Sequence, residues 1–113
     1  MGNKLLITLA LPVLMFSCPV VAEELPGNAI REGSLCNQEL IRDAMTGVAS
    51  KVAMLGCDKP ESFKPYVLSM PKGEAGSRLW RELWVVKGCE SEYPVKMLFT
   101  ETGLSGAMWV VED

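Results

Sequence analysis

Four strand-like runs fill the second half of the chain, and the turns between them are short. The runs are rich in β-branched and aromatic residues, whereas the connections carry Gly, Pro, Ser and Glu. The runs are YVLSM at 66–70, RLWRELWVVKG at 78–88, VKMLFT at 95–100 and AMWVVE at 107–112. Because a parallel return needs a crossover of about a dozen residues or more, strands joined this way must be antiparallel. The pattern predicts a four-stranded antiparallel meander.

One amphipathic helix is predicted ahead of the strands. Apolar residues recur every three or four positions from Cys36 to Leu55, and the charged residues lie off that stripe. Ser34 is suited to cap the first turn, and Gly56 is suited to end the helix. Gly47 in the middle costs about 1 kcal/mol relative to Ala, which indicates close packing on a neighbour. The expected fold class is α+β, with this N-terminal helix packed on one face of the meander.

The first 22 residues have the anatomy of a secretory signal peptide. A positive start precedes the apolar LLITLALPVLMF, and PVVA ends in a small-x-small site with cleavage after Ala22. The alternative is a lipoprotein anchored through Cys18, although MFSC is a poor lipobox. A retained span needs about 20 apolar residues, so stable membrane insertion is not expected. The expected organisation is a signal peptide at 1–22, a flexible arm at 23–33 and one α+β domain at 34–113, in the periplasm or the medium.

Three cysteines remain after that cleavage, and an exported chain meets an oxidising compartment. Cys36 and Cys57 lie at opposite ends of the predicted helix, roughly 30 Å apart, which is too far for a disulfide. Cys89 ends the second strand, next to the start of the first strand, and Cys57 directly precedes that start. We therefore predict a Cys57–Cys89 disulfide that contributes about 3 kcal/mol by loop closure, with Cys36 as a buried thiol.

The charge of the chain limits its partners. There are 11 Lys and Arg against 14 Asp and Glu, and loss of Lys4 with the signal peptide leaves a net charge of −4. Nucleic acid and anionic lipid both require a basic patch, so neither is an expected partner. Another exported protein, or a second copy of this chain, is the partner that we expect.

The chain also lacks several residues and motifs on which enzymes commonly depend. It has no histidine, which removes Ser-His and Cys-His nucleophile activation and most zinc sites. It has no C-x-x-C motif, and GEAGS lacks the lysine of a phosphate-binding loop. We expect no catalytic residue, metal or cofactor, and a non-enzymatic domain that acts by protein binding. The alternatives are a small periplasmic enzyme using carboxylates alone, or a carbohydrate or cell-wall binding module.

The stretch SRLWRELWVVKGC holds the candidate binding residues. On an extended strand Trp80, Glu82 and Trp84 point to one face, and a row of two leucines, an arginine and a valine points to the other. If the helix covers the leucine row, the indoles form an exposed platform beside Glu82 for a protein or, second, a sugar. The alternative is that the leucine and valine row packs under the helix while both indoles are core residues that pack against neighbouring strands and the arm. In that case Glu82 forms a cross-strand ion pair with Arg78 or Lys96.

The same stretch resembles a segment of small uncharacterised exported proteobacterial proteins. Those proteins carry a W-x-E-x-W-x-V-x-x-C-G type segment before their last two strands. The matching residues are Trp80, Glu82, Trp84, Val86 and Cys89. Glu90 stands where the group has glycine. The resemblance covers the C-terminal third of the chain and implies export and a β-rich C-terminal half, with no activity attached.

Overall fold

The computed structural model describes residues 24–113, so the predicted signal peptide, its cleavage after Ala22 and the alternative anchor Cys18 lie outside the described residues. One helix and five strands are formed. They are β1 (Arg31–Glu32), α1 (Gln38–Met54), β2 (Pro60–Lys72), β3 (Leu79–Gly88), β4 (Ser91–Glu101) and β5 (Ala107–Glu112). The strands lie in the order β1-β2-β3-β4-β5, and each neighbouring pair is antiparallel. The α+β class with one helix and an antiparallel meander is confirmed.

The sheet has five strands where four were predicted. The additional strand β1 pairs with the middle of β2, with Arg31 opposite Val67. The Ile30 N–H donates to the Val67 carbonyl at 2.8 Å, and the Gly33 N–H donates to the Pro65 carbonyl at 2.9 Å. Too short to show any periodicity in the sequence, β1 forms because the free edge of β2 supplies acceptors for its amides.

Strand β2 begins at Pro60, six residues before the predicted run at 66–70. The Pro65 carbonyl accepts from Gly33 of the outer segment, so the Pro65 nitrogen faces the same outer side. A proline there removes no hydrogen bond to β3, which is why an edge strand tolerates it.

The N-cap of helix α1 lies three residues later than predicted. Asn37 is the N-cap, and its side chain accepts from the Leu40 N–H at 2.8 Å, whereas the Ser34 hydroxyl is used elsewhere. Ala44, Val48 and Val52 are buried against the sheet. Gly47 packs directly on Trp109 of β5, so a Cβ at this position would overlap the indole ring. The close approach that a mid-helix glycine indicated is therefore present.

The Cys57–Cys89 disulfide is formed, with its Cα atoms 5.8 Å apart, and Cys36 is free. Cys89 and Glu90 form a two-residue turn between β3 and β4, and both have positive φ, 51° and 61°. A disulfide fits an oxidising compartment, in agreement with the expectation of export. Within residues 24–113 no helix is long and apolar enough to cross a membrane.

Candidate functional site

The carboxylate of Glu82 is fully buried between β3 and the segment that leads into α1. Trp80 Nε1 donates to its Oε2 at 2.9 Å, and Trp84 Nε1 donates to its Oε1 at 2.9 Å. Residues two apart on a strand share a face, so the W-x-E-x-W spacing places one indole on each side of the carboxylate. Each oxygen therefore receives one indole N–H.

The segment of residues 34–36 supplies the remaining donors. Ser34 Oγ donates to Glu82 Oε1 at 2.8 Å, and the Leu35 N–H donates to Oε2 at 2.9 Å. The Cys36 thiol lies 3.8 Å from Oε2, and the Cys36 N–H donates to Ser34 Oγ at 3.0 Å. Because the Ser34 hydroxyl binds Glu82 and the Cys36 N–H, it does not cap the helix. We call Ser34, Cys36, Trp80, Glu82 and Trp84 the carboxylate cluster.

No lysine or arginine among residues 24–113 forms an ion pair with Glu82, so the predicted cross-strand ion pair is wrong. Arg78 instead binds Glu101 through two hydrogen bonds of 3.0 and 2.7 Å. Lys96 lies opposite Leu83, on the other face of the sheet. The buried carboxylate is therefore satisfied by polar hydrogens alone, each stronger than a neutral hydrogen bond because the acceptor can carry the charge.

The exposed platform required helix α1 to cover the leucine row of β3. The helix covers the opposite face, which carries the tryptophans. Trp80 and Trp84 are 6% and 1% exposed and face α1, and Trp80 stacks on Phe99 with ring centroids 5.1 Å apart. Leu79, in the other row, is 46% exposed. The alternative prediction of core indoles also placed the leucine and valine row under the helix, and that part is wrong, because Trp80 and Trp84 pack with the buried residues of α1. A buried indole N–H needs an acceptor, and Glu82 lies on the same face. The three candidate residues are brought together, but inside the domain.

Cys36 is half-buried beside this cluster. The pKa of its thiol is raised to about 12, mainly by burial; the hydrogen bond with Ser34 opposes this shift, and the charge of Glu82 and the hydrogen bond to it contribute to it. The nucleophilic form of a cysteine is the thiolate, so this thiol is poorly suited to redox exchange or covalent catalysis.

A groove of about 790 Å³ lies above the cluster, between the first turns of α1 and the hairpin that joins β4 to β5. We call it the hairpin groove. Its apolar lining comes from Leu35, Leu40, Trp80, Leu104 and Ala107. Leu104, at the tip of the hairpin, is 90% exposed. No pattern in the sequence indicates this groove, because its lining comes from three separate parts of the chain, residues 35–46, Trp80 and residues 101–107.

The charged lining of the hairpin groove is mostly acidic. Glu39, Arg42, Asp43 and Glu101 contribute to it. Hydrogen bonds from Arg78 lower the pKa of Glu101 to about 2, so that carboxylate stays ionised and is neutralised by its partner. Asp43 accepts from Trp109 Nε1 at 2.9 Å. Within residues 24–113, Glu39 and Asp43 form no ion pair.

Residues 24–113 hold no cluster of three or more His, Cys, Asp or Glu side chains arranged for a metal ion. No protein-family model, curated protein sequence or solved structure matches the chain. The function is therefore argued from the chemistry of the groove and of the cluster beneath it.

Proposed function

We propose that the protein is an exported, non-enzymatic domain that binds another exported protein through the hairpin groove. The observation that carries the proposal is Leu104, a leucine 90% exposed at the rim of an apolar concavity. A single exposed leucine on a surface is ordinary, but one beside a groove floored by an indole edge and two further leucines is typical of a contact surface.

The lining of the groove defines the chemistry of the partner. Leu35, Leu40 and Trp80 offer contacts to an aliphatic or aromatic side chain. Within the described residues 24–113, Glu39 and Asp43 form no ion pair with a basic side chain. A segment that combines an apolar side chain with a lysine or arginine is complementary to both. Such a segment belongs to a protein and not to a nucleic acid or an anionic lipid.

The carboxylate cluster supports this groove from below. Leu35 donates its N–H to Glu82, Cys36 contacts the same carboxylate, and Trp80 donates to it, while all three also line the groove. In this proposal Glu82 does not touch the partner. It fixes the floor against which the partner packs, as a rigid recognition surface requires.

Two observations favour protein binding over the alternatives. The Glu101 carboxylate is held ionised by Arg78, so it is not available as a general acid, and Glu82 has no exposed surface at which to meet a substrate. A sugar stacks on the face of an indole, and the faces of Trp80 and Trp84 are buried in the core. Export to the periplasm or the medium is part of the proposal, supported by the disulfide.

A displayed random-peptide library, selected on immobilised protein, tests the proposal. We expect enrichment of peptides that pair an apolar residue with Lys or Arg. Their binding should weaken at least tenfold in Leu104→Thr, the loss expected from about 1.4 kcal/mol of apolar contact. Leu79→Thr is the matched control, because Leu79 is an exposed leucine on the opposite face of the sheet. Selection of no peptide class, or equal binding by both variants, would overturn the proposal.

A further inference from the structure

The two edges of the sheet differ in how they are protected. The edge at β2 is covered in its middle by β1, and Pro60, Pro65 and Pro71 interrupt its amides. The edge at β5 has no proline, and no strand within residues 24–113 pairs with its outer side. Unpaired strand edges are templates for another strand unless they are blocked. The edge at β5 is therefore available for pairing.

The hydrogen-bond pattern shows which groups of β5 face outward. The Thr102 N–H donates to the Gly106 carbonyl at 2.9 Å, which sets the alternation of the β4–β5 ladder. By this alternation Met108, Val110 and Glu112 bond to β4. The amides and carbonyls of Ala107, Trp109 and Val111 point away from the sheet.

The face of the sheet opposite α1 carries exposed apolar side chains along this same edge. Met108 is 54% exposed, Val110 is 47% exposed, and Leu98 lies opposite Val110 on β4. The two acidic residues at the end of β5 already have basic partners. Glu112 binds Arg81 at 2.9 Å, and Asp113 binds Lys51 at 2.6 Å. An incoming strand would meet apolar side chains and neutralised carboxylates.

We propose that a second copy of this chain pairs antiparallel with β5, about a two-fold axis at Trp109. Antiparallel pairing then places Ala107 opposite Val111 of the second copy and Met108 opposite its Val110. Every cross-strand pair at the centre is apolar, and the outward groups of Ala107, Trp109 and Val111 form about six hydrogen bonds across the axis. An axis at Val110 would instead oppose Met108 to Glu112. The self-complementary register is what selects a second copy as the occupant.

This surface is separate from the lining of the hairpin groove except at Ala107, and the inference does not rest on the proposed function. The two proposals also have different readouts, since one concerns peptide binding and the other concerns mass in solution. A failure of either leaves the other standing.

Sedimentation of the purified protein from micromolar to millimolar concentration tests the inference, in a Cys36→Ser background that prevents disulfide-linked dimers. We expect a reversible monomer–dimer equilibrium. Met108→Lys plus Val110→Lys places two lysines face to face where Met108 of each copy opposes Val110 of the other. This variant should be a monomer at every concentration. Met70→Lys plus Leu79→Lys adds the same charge at exposed positions on β2 and β3, away from β5 in the strand order, and this control should dimerise like the parent protein. A parent that is monomeric throughout, or a control that dissociates equally, overturns the proposal.

Two cysteine variants test the register. In the Cys36→Ser background, Met108→Cys plus Val110→Cys places two cysteines face to face if the axis lies at Trp109, so mild oxidation should give an intermolecular disulfide. Val110→Cys alone should then not be cross-linked, because its two copies would be too far apart for a disulfide. If the axis lay at Val110, the Val110→Cys variant would be cross-linked across the axis. That outcome would overturn the proposed register. Circular dichroism and the unfolding midpoint verify that each variant is folded.

Discussion

The two faces of β3 have nearly the same composition and opposite environments. The row of Trp80, Glu82, Trp84 and Val86 is buried under α1. The row of Leu79, Arg81, Leu83 and Val85 lies on the helix-free face, where Leu79 and Arg81 are exposed and only Leu83 is buried, close to Gly27 of the arm. Each row has three apolar residues and one charged residue. Hydrophobicity alone therefore does not decide which row the helix covers.

Hydrogen bonding explains why the helix covers the row that contains Glu82. An indole N–H that is buried without an acceptor carries a desolvation penalty, and a carboxylate on the same face removes that penalty for two indoles at once. Arg81 needs no burial, because its side chain reaches Glu112 across the exposed face at 2.9 Å. The face whose polar groups have hydrogen-bond partners within the protein is the one that can be buried without a desolvation penalty.

Glu82→Gln is expected to produce the largest loss of stability. The amide retains the shape, but its NH₂ group would meet the indole, hydroxyl and backbone donors that now bind the carboxylate. Hydrogen bonds to a charged group contribute about 1.5–3 kcal/mol each, so we expect a loss of about 3 kcal/mol in the free energy of unfolding. Urea unfolding followed by tryptophan fluorescence measures it.

Arg81→Gln is the matched control on the other face. Its ion pair with Glu112 is exposed, and exposed pairs contribute about 0–1 kcal/mol. Equal losses in Glu82→Gln and Arg81→Gln would mean that the carboxylate cluster does not distinguish the two faces.

The helix and most of the strands could be predicted from the sequence, but the face of β3 that α1 covers could not. The alternation of side chains and the composition of the turns were enough to predict β3, β4 and β5. The apolar stripe was enough to predict α1. The register of the meander also placed Cys57 beside Cys89. Two of the donors to Glu82, however, come from Ser34 and Leu35, 48 and 47 residues away in the chain. No local pattern links them. The hairpin groove was missed for the same reason.

The reactivity of Cys36 tests the covered face in a second way. A thiol pKa of about 12, against the ordinary value of 9.0, leaves about a thousandfold less thiolate at pH 8. Higher intrinsic nucleophilicity offsets part of this loss, so alkylation should be on the order of 50-fold slower than in urea-unfolded protein. Iodoacetamide labelling followed by intact mass measures the rate.

A cysteine on the other face provides the comparison for that experiment. Leu79→Cys in a Cys36→Ser background should react within a few-fold of the unfolded rate, because position 79 is exposed. Rapid labelling of Cys36 in the native protein would contradict the burial of its thiol.

Gly47→Ala tests the contact between α1 and the covered face. Alanine favours an exposed helix by about 1 kcal/mol, but here its Cβ would overlap the Trp109 ring and force a shift in packing. Overpacking typically costs 1–3 kcal/mol, so we expect a net loss of about 1–2 kcal/mol. Ser50→Ala, at an exposed position of the same helix, should instead be neutral or slightly stabilising. A stabilised Gly47→Ala would mean that Trp109 does not rest on the helix.

The smallest effect is expected for Leu79→Thr, on the helix-free face. Leu79 is 46% exposed, and threonine is branched at Cβ, which strands favour, so the change should lie within about 0.5 kcal/mol. The measurement belongs at micromolar concentration, where the proposed dimer is dissociated. A loss above about 1 kcal/mol there would show that another segment of the chain covers this face. The contrast between the two faces would then be one of degree, because both would be buried and only the hydrogen bonds to Glu82 would distinguish them.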